Sequence, residues 1–375
     1  MKVLYISKAL VVAEYRTKLL ALAAGAELTA LVPDRWGART VEPSPDDGDG
    51  PIQLRWERAW LHGNNHLHIS PLLGKVIDSL RPDLVHIDEE PYSLVTLQAA
   101  RLCAKRGIPC LFFAWQNLPK RLPPPFARVR ARVYRTVSGG IAGTPAAGRV
   151  LRDAGFSGPL AIIPQFGVDA SRFRPRPADR ASAREAWGIA PDDFAVGFGG
   201  RLVPEKGIDR LIRAIVGVPS AKLLIAGEGP ERGRLMKMSL ELGVAGRVRF
   251  IGHLPSTSVP GWLTSLDALA LPSLSTPRWT EQFGRILVEA MASGVPVVAS
   301  RCGEIPHVVG AAGLLTDEGG VDSLAGALAS LATSPGLRSK LAEQGRVRAL
   351  EHFTQDRIAA QTLEFYESLC GARSA

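Results

Sequence analysis

Short apolar runs, four to six residues long, recur along the chain and alternate with segments of helical periodicity. In the first half the runs are 3–7 (VLYIS), 28–32 (LTALV), 84–88 (LVHID), 110–115 (CLFFAW), 139–143 (GGIAG) and 160–164 (LAIIP). Helical periodicity marks 14–24 and 92–106. The second half repeats the scheme at 195–199, 222–226, 247–251, 268–272, 296–299 and 312–315. Buried strands alternating with helices make parallel sheets covered on both faces. Two such series predict an α/β fold of two Rossmann-like doubly wound domains. The first is expected over 1–166, completed by a C-terminal helix at 356–375, and the second over 194–355. The segment 167–193, with Pro175, Pro177 and Pro191 among many Arg and Asp, reads as the linker, with a short helix at 179–187. Ligands of doubly wound sheets bind outside the carboxyl ends of the strands, so two domains facing each other would form a cleft there.

Polar chemistry should then follow the strands, and it does. After 195–199 comes Gly199-Gly200-Arg201-Leu-Val-Pro-Glu205-Lys206-Gly207. Glycines let the backbone turn sharply and approach a ligand, and two cations at a loop-to-helix junction suit a diphosphate. The same two cations would also be ordinary on a solvated surface. The loop is neither GxxxxGK[ST] nor GxGxxG, which disfavours a Walker site or a dinucleotide site. A second glycine turn, Ala226-Gly227-Glu228-Gly229-Pro230, follows the next strand, and Gly252-His253-Leu254 the one after. In 276–294, TPRWTEQFGRILVEAMASG, Glu281 and Glu289 stand seven residues apart, and Gly284 opens a helix that Ser293-Gly294 stops. The helix start offers N–H groups and the positive end of a dipole. The two glutamates can accept hydrogen bonds from sugar and ribose hydroxyls, or stand as plain helix-surface acids.

Composition narrows the class. Among 375 residues, 46% hydrophobic and 22% charged is a globular balance that disfavours disorder. Four cysteines, at 103, 110, 302 and 370, form no CxxC pair and no disulfide framework. No apolar run reaches the ~18 residues of a membrane span, and no signal-like core precedes the first strand, so a cytoplasmic protein is expected. The net charge of +9 lies wholly in residues 1–180, which hold 25 basic and 16 acidic residues. Its densest stretch is 120–135, KRLPPPFARVRARVYR, with six basic residues and no acid. Phe126, Val129, Val133, Tyr134 and Val137 fall there at helical spacing. A basic amphipathic helix suits an anionic acceptor, a lipid-linked acceptor or peripheral contact with the inner face of the membrane. It is equally a solvated face over a buried stripe. No aromatic platform or motif accompanies the charge, so nucleic acid is not an expected partner.

Together GGRLVPEKG (199–207), AGEGP (226–230), FIGHLP (250–255) and EQFGRILVEAMASGVPVVAS (281–300) resemble the retaining glycosyltransferases of family 4, with its EX7E motif and GT-B architecture. IIPQFGVDASRFRP at 162–175 resembles that family's crossover into its second domain. The resemblance implies a nucleoside diphosphate sugar as donor, UDP- or GDP-type. It implies that Arg201 and Lys206 hold the diphosphate, Glu281 meets the donor sugar and Glu289 binds the ribose. The main chain of Phe283 and Gly284 would bind sugar hydroxyls, Leu254 would lie at the base, and Gly199, Gly200 and Gly227 would shape the donor loops. It also makes the first domain the acceptor side, with Glu89, Glu90, Gln116 and Asn117 as candidates.

The chain departs from the family pattern in three places. Gln282 replaces a glycine. Ser7-Lys8-Ala9-Leu10 replaces a Gly-Gly loop, with Lys8 the candidate substitute. Ala114-Trp115-Gln116-Asn117 stands where a histidine is common, and His86, in another strand, is not expected to replace it. In the front-face mechanism implied by the resemblance, the leaving phosphate takes the acceptor's proton, so no protein base is required. The acidic run Asp88-Glu89-Glu90 lies away from the phosphate cations, so no metal and no other cofactor is expected. A non-catalytic sugar-nucleotide-binding subunit, a GT-B-type epimerase and a nicotinamide dehydrogenase are the competing readings.

Overall fold

The protein is described here from a computed structural model, over residues 1–42 and 50–371; positions 372–375 of the expected C-terminal helix lie outside the described residues. The chain divides into two units: Met1–Gly167 together with the stretch from Gln355 onward, and Val168–Thr354.

In the first unit the strands are β1 (Lys2–Ile6), β2 (Glu27–Pro33), the two-residue pair β3 (Arg35–Trp36) and β4 (Arg39–Thr40), β5 (Ile52–Glu57), β6 (Leu84–Ile87), β7 (Cys110–Ala114), β8 (Gly139–Ala142) and β9 (Leu160–Ile162). Seven of them form one parallel sheet in the order β5-β2-β1-β6-β7-β8-β9. The apolar runs are its interior: Val3, Leu4, Tyr5 and Ile6 of β1 are all buried. β5 is not among the strands those runs predict. It is the edge strand, and of its residues IQLRWE only Ile52 and Glu57 are fully buried. A helix at Gln355–Gly371 closes this unit by packing on the helix Thr17–Ala23.

The second unit carries β10 (Phe194–Gly199), β11 (Ala221–Ala226), β12 (Val248–Gly252), β13 (Ala268–Leu271), β14 (Val297–Ser300) and β15 (Leu314–Thr316). They form a parallel sheet in the order β12-β11-β10-β13-β14-β15. In both sheets the strand order reverses beside the first strand. β1 lies between β2 and β6, and β10 between β11 and β13. Such reversal points leave a crevice at the carboxyl ends of the strands, because the two flanking crossovers depart to opposite faces.

The segment 167–193 is not a linker. From Val168 on it belongs to the second unit. Its helix, Arg180–Ala186, turns its arginines inward. Arg180 Nη2 donates to Asp267 Oδ1 at 2.7 Å, and Arg184 Nη1 to Asp267 Oδ2 at 3.0 Å. Arg184 also donates to the carbonyls of Ala190 and Asp193, at 2.6 and 2.7 Å. Its many Arg and Asp, read as the mark of a linker, are partly a buried network. Asp267→Ala leaves Arg184 buried without its counter-charge. The expected cost is about 3–5 kcal/mol, read as a lower urea midpoint with an unchanged m-value.

Candidate functional site

The loops that leave β10, β11 and β12 are zipped together through their backbones. Gly200 N donates to Ala226 O at 3.0 Å, Leu202 N to Glu228 O at 2.9 Å and Gly227 N to Gly252 O at 2.7 Å. Only glycine fits at 227: φ is +139°, and a Cβ would stand 1.8 Å from the carbonyl oxygen of Gly200. Beside this zip lies a cavity of about 420 Å³. Gly199, Gly200, Arg201, Gly227 and Leu254 line it, with Glu228, His253, Trp262 and Ile286. Arg201 is exposed, and no hydrogen-bond partner is seen for its guanidinium among the described residues. His253 is an exposed turn residue on the cavity wall.

Lys206 sits in a one-turn 3-10 helix, Pro204–Lys206, ended by Gly207. Its Nζ donates to Glu281 Oε2 at 2.5 Å and lies 5.1 Å from the ring centre of Trp279. Ser273 Oγ donates to the same carboxylate oxygen at 2.9 Å. Ser273 follows β13, so both sides of the reversal point contribute to this cluster. Glu281 lies in the loop ahead of the helix Arg285–Ala292, and Glu289 lies within that helix. Both are buried, and Arg285 Nε donates to Glu289 Oε1 at 2.7 Å. Gly284 is the N-cap at φ +75°, and the buried Phe283 packs edge-on to Phe353 at 5.6 Å. Gln282 is exposed. The helix ends in a Schellman turn, with Gly294 N on Met291 O at 3.0 Å and Val295 N on Ala290 O at 2.9 Å. Ser273 and Trp279 escape sequence reading, because their role arises only from contacts across the sheet edge.

In the first unit the reversal point gathers charge of both signs. Lys8 pairs with Glu89, and its Nζ lies 5.5 Å from the ring centre of Trp36. Buried Asp88 accepts from Lys18 Nζ at 2.7 Å, from Ser7 Oγ at 3.0 Å and from Gln165. Burial pushes the Asp88 carboxyl up, but Lys18 and its other hydrogen-bonded neighbours outweigh that and hold it at about 2. Burial pushes the Glu89 carboxyl above the usual range despite Lys8. Glu90 accepts from the backbone N–H groups of Trp115 and Gln116 at 2.9 and 3.1 Å. Gln116 donates to Leu118 O at 2.9 Å, and Gln116 and Asn117 are both buried. Lys8, Glu89, Glu90, Gln116 and Asn117 thus follow three neighbouring strands, β1, β6 and β7. The basic helix spans Pro124–Thr136. Val133 is buried, and Val129 and Tyr134 pack with it against Phe112, so its apolar stripe faces the unit's own core. Lys120, Arg121, Arg128, Arg132 and Arg135 are exposed.

Among the described residues no group of three or more His, Cys, Asp and Glu side chains is placed to hold a metal ion. No described helix is long and apolar enough to cross a membrane.

Residues 179–348 match the family Glycosyl transferases group 1. That segment contains β10–β15 and the cavity and cluster residues from Gly199 to Glu289. The chain is 35% identical over 234 residues to a GDP-mannose-dependent alpha-(1-6)-phosphatidylinositol monomannoside mannosyltransferase of Mycolicibacterium smegmatis, covering 60% of this chain and 61% of that protein. It is 36% identical over 197 residues to a D-inositol 3-phosphate glycosyltransferase of Mycobacterium marinum, covering 50% of this chain and 40% of that one. The chain therefore spans about 60% or less of the length of these curated relatives. Among solved structures, Anabaena HepE in complex with UDP superposes with a TM-score of 0.77 at 23% identity, over 98% of this chain and 100% of that one. The fold is GT-B.

His86 lies in the interior of the first unit. It is buried in β6, bonded through Nδ1 to the Tyr366 hydroxyl at 2.5 Å and packed on Tyr5 at 4.4 Å, and its Nε2 has no partner among the described residues. Burial pushes it down to about 3, with Lys18 adding to that shift and Asp88 opposing it. An unfolded histidine titrates near 6.5. Between about 3 and 6.5 the unfolded chain binds the extra proton, so this contribution is complete above 6.5 and is lost as pH falls. His86→Gln should flatten the acid limb of the stability curve in that window by about 1.4 kcal/mol per pH unit, measured by urea unfolding across pH.

Proposed function

We propose that the protein is a retaining glycosyltransferase of family 4 that moves a sugar from a nucleoside diphosphate sugar to an acceptor hydroxyl. The observation that carries this reading is the reversal point of the second sheet. There a 420 Å³ cavity has Arg201 on its rim, and the Lys206–Glu281–Ser273 cluster stands on the adjoining loops. The cavity walls suit a nucleoside, with Leu254 at the base and Gly199, Gly200 and Gly227 giving the backbone close approach. Arg201 and Lys206 neutralise the diphosphate. Glu281 orients Lys206 and accepts from a sugar hydroxyl, while Glu289, steadied by Arg285, accepts from the ribose. Phe283 and Gly284 offer main-chain groups to the sugar.

In the reaction the bond from the anomeric carbon to the diphosphate oxygen breaks. The acceptor oxygen bonds to that carbon on the same face, and the acceptor proton passes to the departing phosphate oxygen. Cations aimed at the leaving group stabilise its growing charge. Two cations match the diphosphate, so no metal or other cofactor is part of this proposal, and turnover should survive EDTA. The mycobacterial relative's name specifies GDP-mannose and a phosphatidylinositol glycolipid, and the HepE complex contains UDP. These favour a GDP- or UDP-type donor and a lipid-linked or anionic acceptor. The first unit would take the acceptor near Lys8, Glu89, Glu90, Gln116 and Asn117. The exposed basic residues of 120–135 would hold the protein at the cytoplasmic face of the membrane by charge alone.

Thermal-shift titration with UDP, GDP, TDP, ADP and NAD should give a clear rise with one nucleoside diphosphate, weakened in Glu289→Ala. A rise with NAD alone would overturn the assignment. With the matching sugar nucleotide, Arg201→Ala and Lys206→Ala should each lower kcat by about 10²–10³, and NMR of the product should show the donor's anomeric configuration. Nucleotide binding without turnover on any lipid-linked or soluble acceptor would favour the non-catalytic reading.

A further inference from the structure

The apolar surface that the basic helix lacks is found elsewhere on the first unit. Trp56, Trp60, Leu61 and Leu72 are exposed by 56%, 64%, 61% and 45%. Of the seven tryptophans in the chain, Trp56 and Trp60 alone are exposed. The four residues belong to one folded-back segment. Trp60 and Ile69 exchange backbone hydrogen bonds at 3.0 and 3.1 Å. Glu57, between the two tryptophans, accepts from Leu72 N at 2.8 Å and from Ser70 Oγ, which draws the return arm against β5.

We infer that this segment, Trp56–Leu72, is the part of the protein that enters an anionic bilayer surface, with these four side chains as its anchors. Tryptophan favours the membrane–water boundary, where an apolar ring can be buried while its N–H stays hydrated. Charge completes the match. Arg55, Arg58 and Lys75 are exposed around the patch, and the single acid within 51–77, Glu57, is buried and occupied by Ser70 and Leu72. The segment also touches the basic helix: the His66 ring packs edge-on to Phe126, in that helix's first turn, at 6.2 Å. One surface thus combines apolar anchors with a row of arginines, the two terms that together fix a peripheral protein to anionic lipid. The inference shares with the proposed function only the electrostatic contact of the basic helix. It does not depend on sugar transfer.

The test uses the full chain and phosphatidylcholine vesicles with and without phosphatidylglycerol. Wild type should partition onto the phosphatidylglycerol vesicles, with a blue shift in tryptophan emission and quenching by brominated lipid. The triple variant Trp56→Ser/Trp60→Ser/Leu61→Ser should lose roughly tenfold or more of that partitioning while keeping its unfolding midpoint and its thermal shift with nucleoside diphosphate. Arg128→Gln/Arg132→Gln/Arg135→Gln should weaken binding only to the anionic vesicles. Wild type that fails to bind, that binds without brominated-lipid quenching, or that binds as well after the triple substitution overturns the inference. So does a wild-type dimer in solution that the triple variant converts to monomer, which would make a second copy the occupant. Should the triple variant fail to fold, brominated-lipid quenching of wild type decides alone. The nucleotide shift reports on the donor site and the vesicles on the patch, so either proposal can fail without the other.

Discussion

Backbone packed directly on backbone governs the second unit. The loops after β10, β11 and β12 bond to one another with no side chain between them, and Gly227 is where the contact is tightest. That closeness holds Arg201 on the cavity rim and leaves bare backbone along the wall. A methyl group at 227 would force the loops apart, because the atom opposite it is a carbonyl oxygen of another loop and cannot rotate away. The chemistry at this edge therefore depends on a position that carries no functional group.

The two sheet edges handle their carboxylates differently. In the second unit Glu281 accepts from Lys206 and Glu289 from Arg285. A ligand that brings hydroxyls or phosphate can compete for either partner. In the first unit Asp88 is enclosed by Lys18, Ser7 and Gln165, which favours a fixed, ionised structural anion. Glu89 and Glu90 lie at the periphery of that network, and burial raises the carboxyl pKa of each. One unit keeps its charges exchangeable, and the other commits most of them to its own architecture.

Much of the fold was legible because parallel strands are apolar on both faces. All twelve predicted runs correspond to strands in the structure. β5 was not legible, since an edge strand shows one face to water and its residues alternate. The segment 167–193 looked like a linker because composition cannot tell a solvated arginine from one bonded to Asp267. In the second unit the glycine loops could be read from their spacing. The partnership of Lys206 with Glu281, 75 residues apart, and with Ser273 could not, because the reversal in strand order creates it. The exposed Trp56 and Trp60 follow no apolar period, and nothing local distinguishes a tryptophan facing water from one in a core.

The helix Gln355–Gly371 supplies Tyr366 to His86 and lies against Thr17–Ala23, so the first unit is assembled from two stretches of chain with the whole second unit between them. During synthesis the stretch made first must wait, its sheet lacking one cover, until Tyr366, 280 positions after His86, has emerged. The second unit is continuous in sequence and can complete its core earlier. The order in which the units reach their final form is then the reverse of the order in which they begin, and trimming the far end of the chain unsettles the unit that was started first.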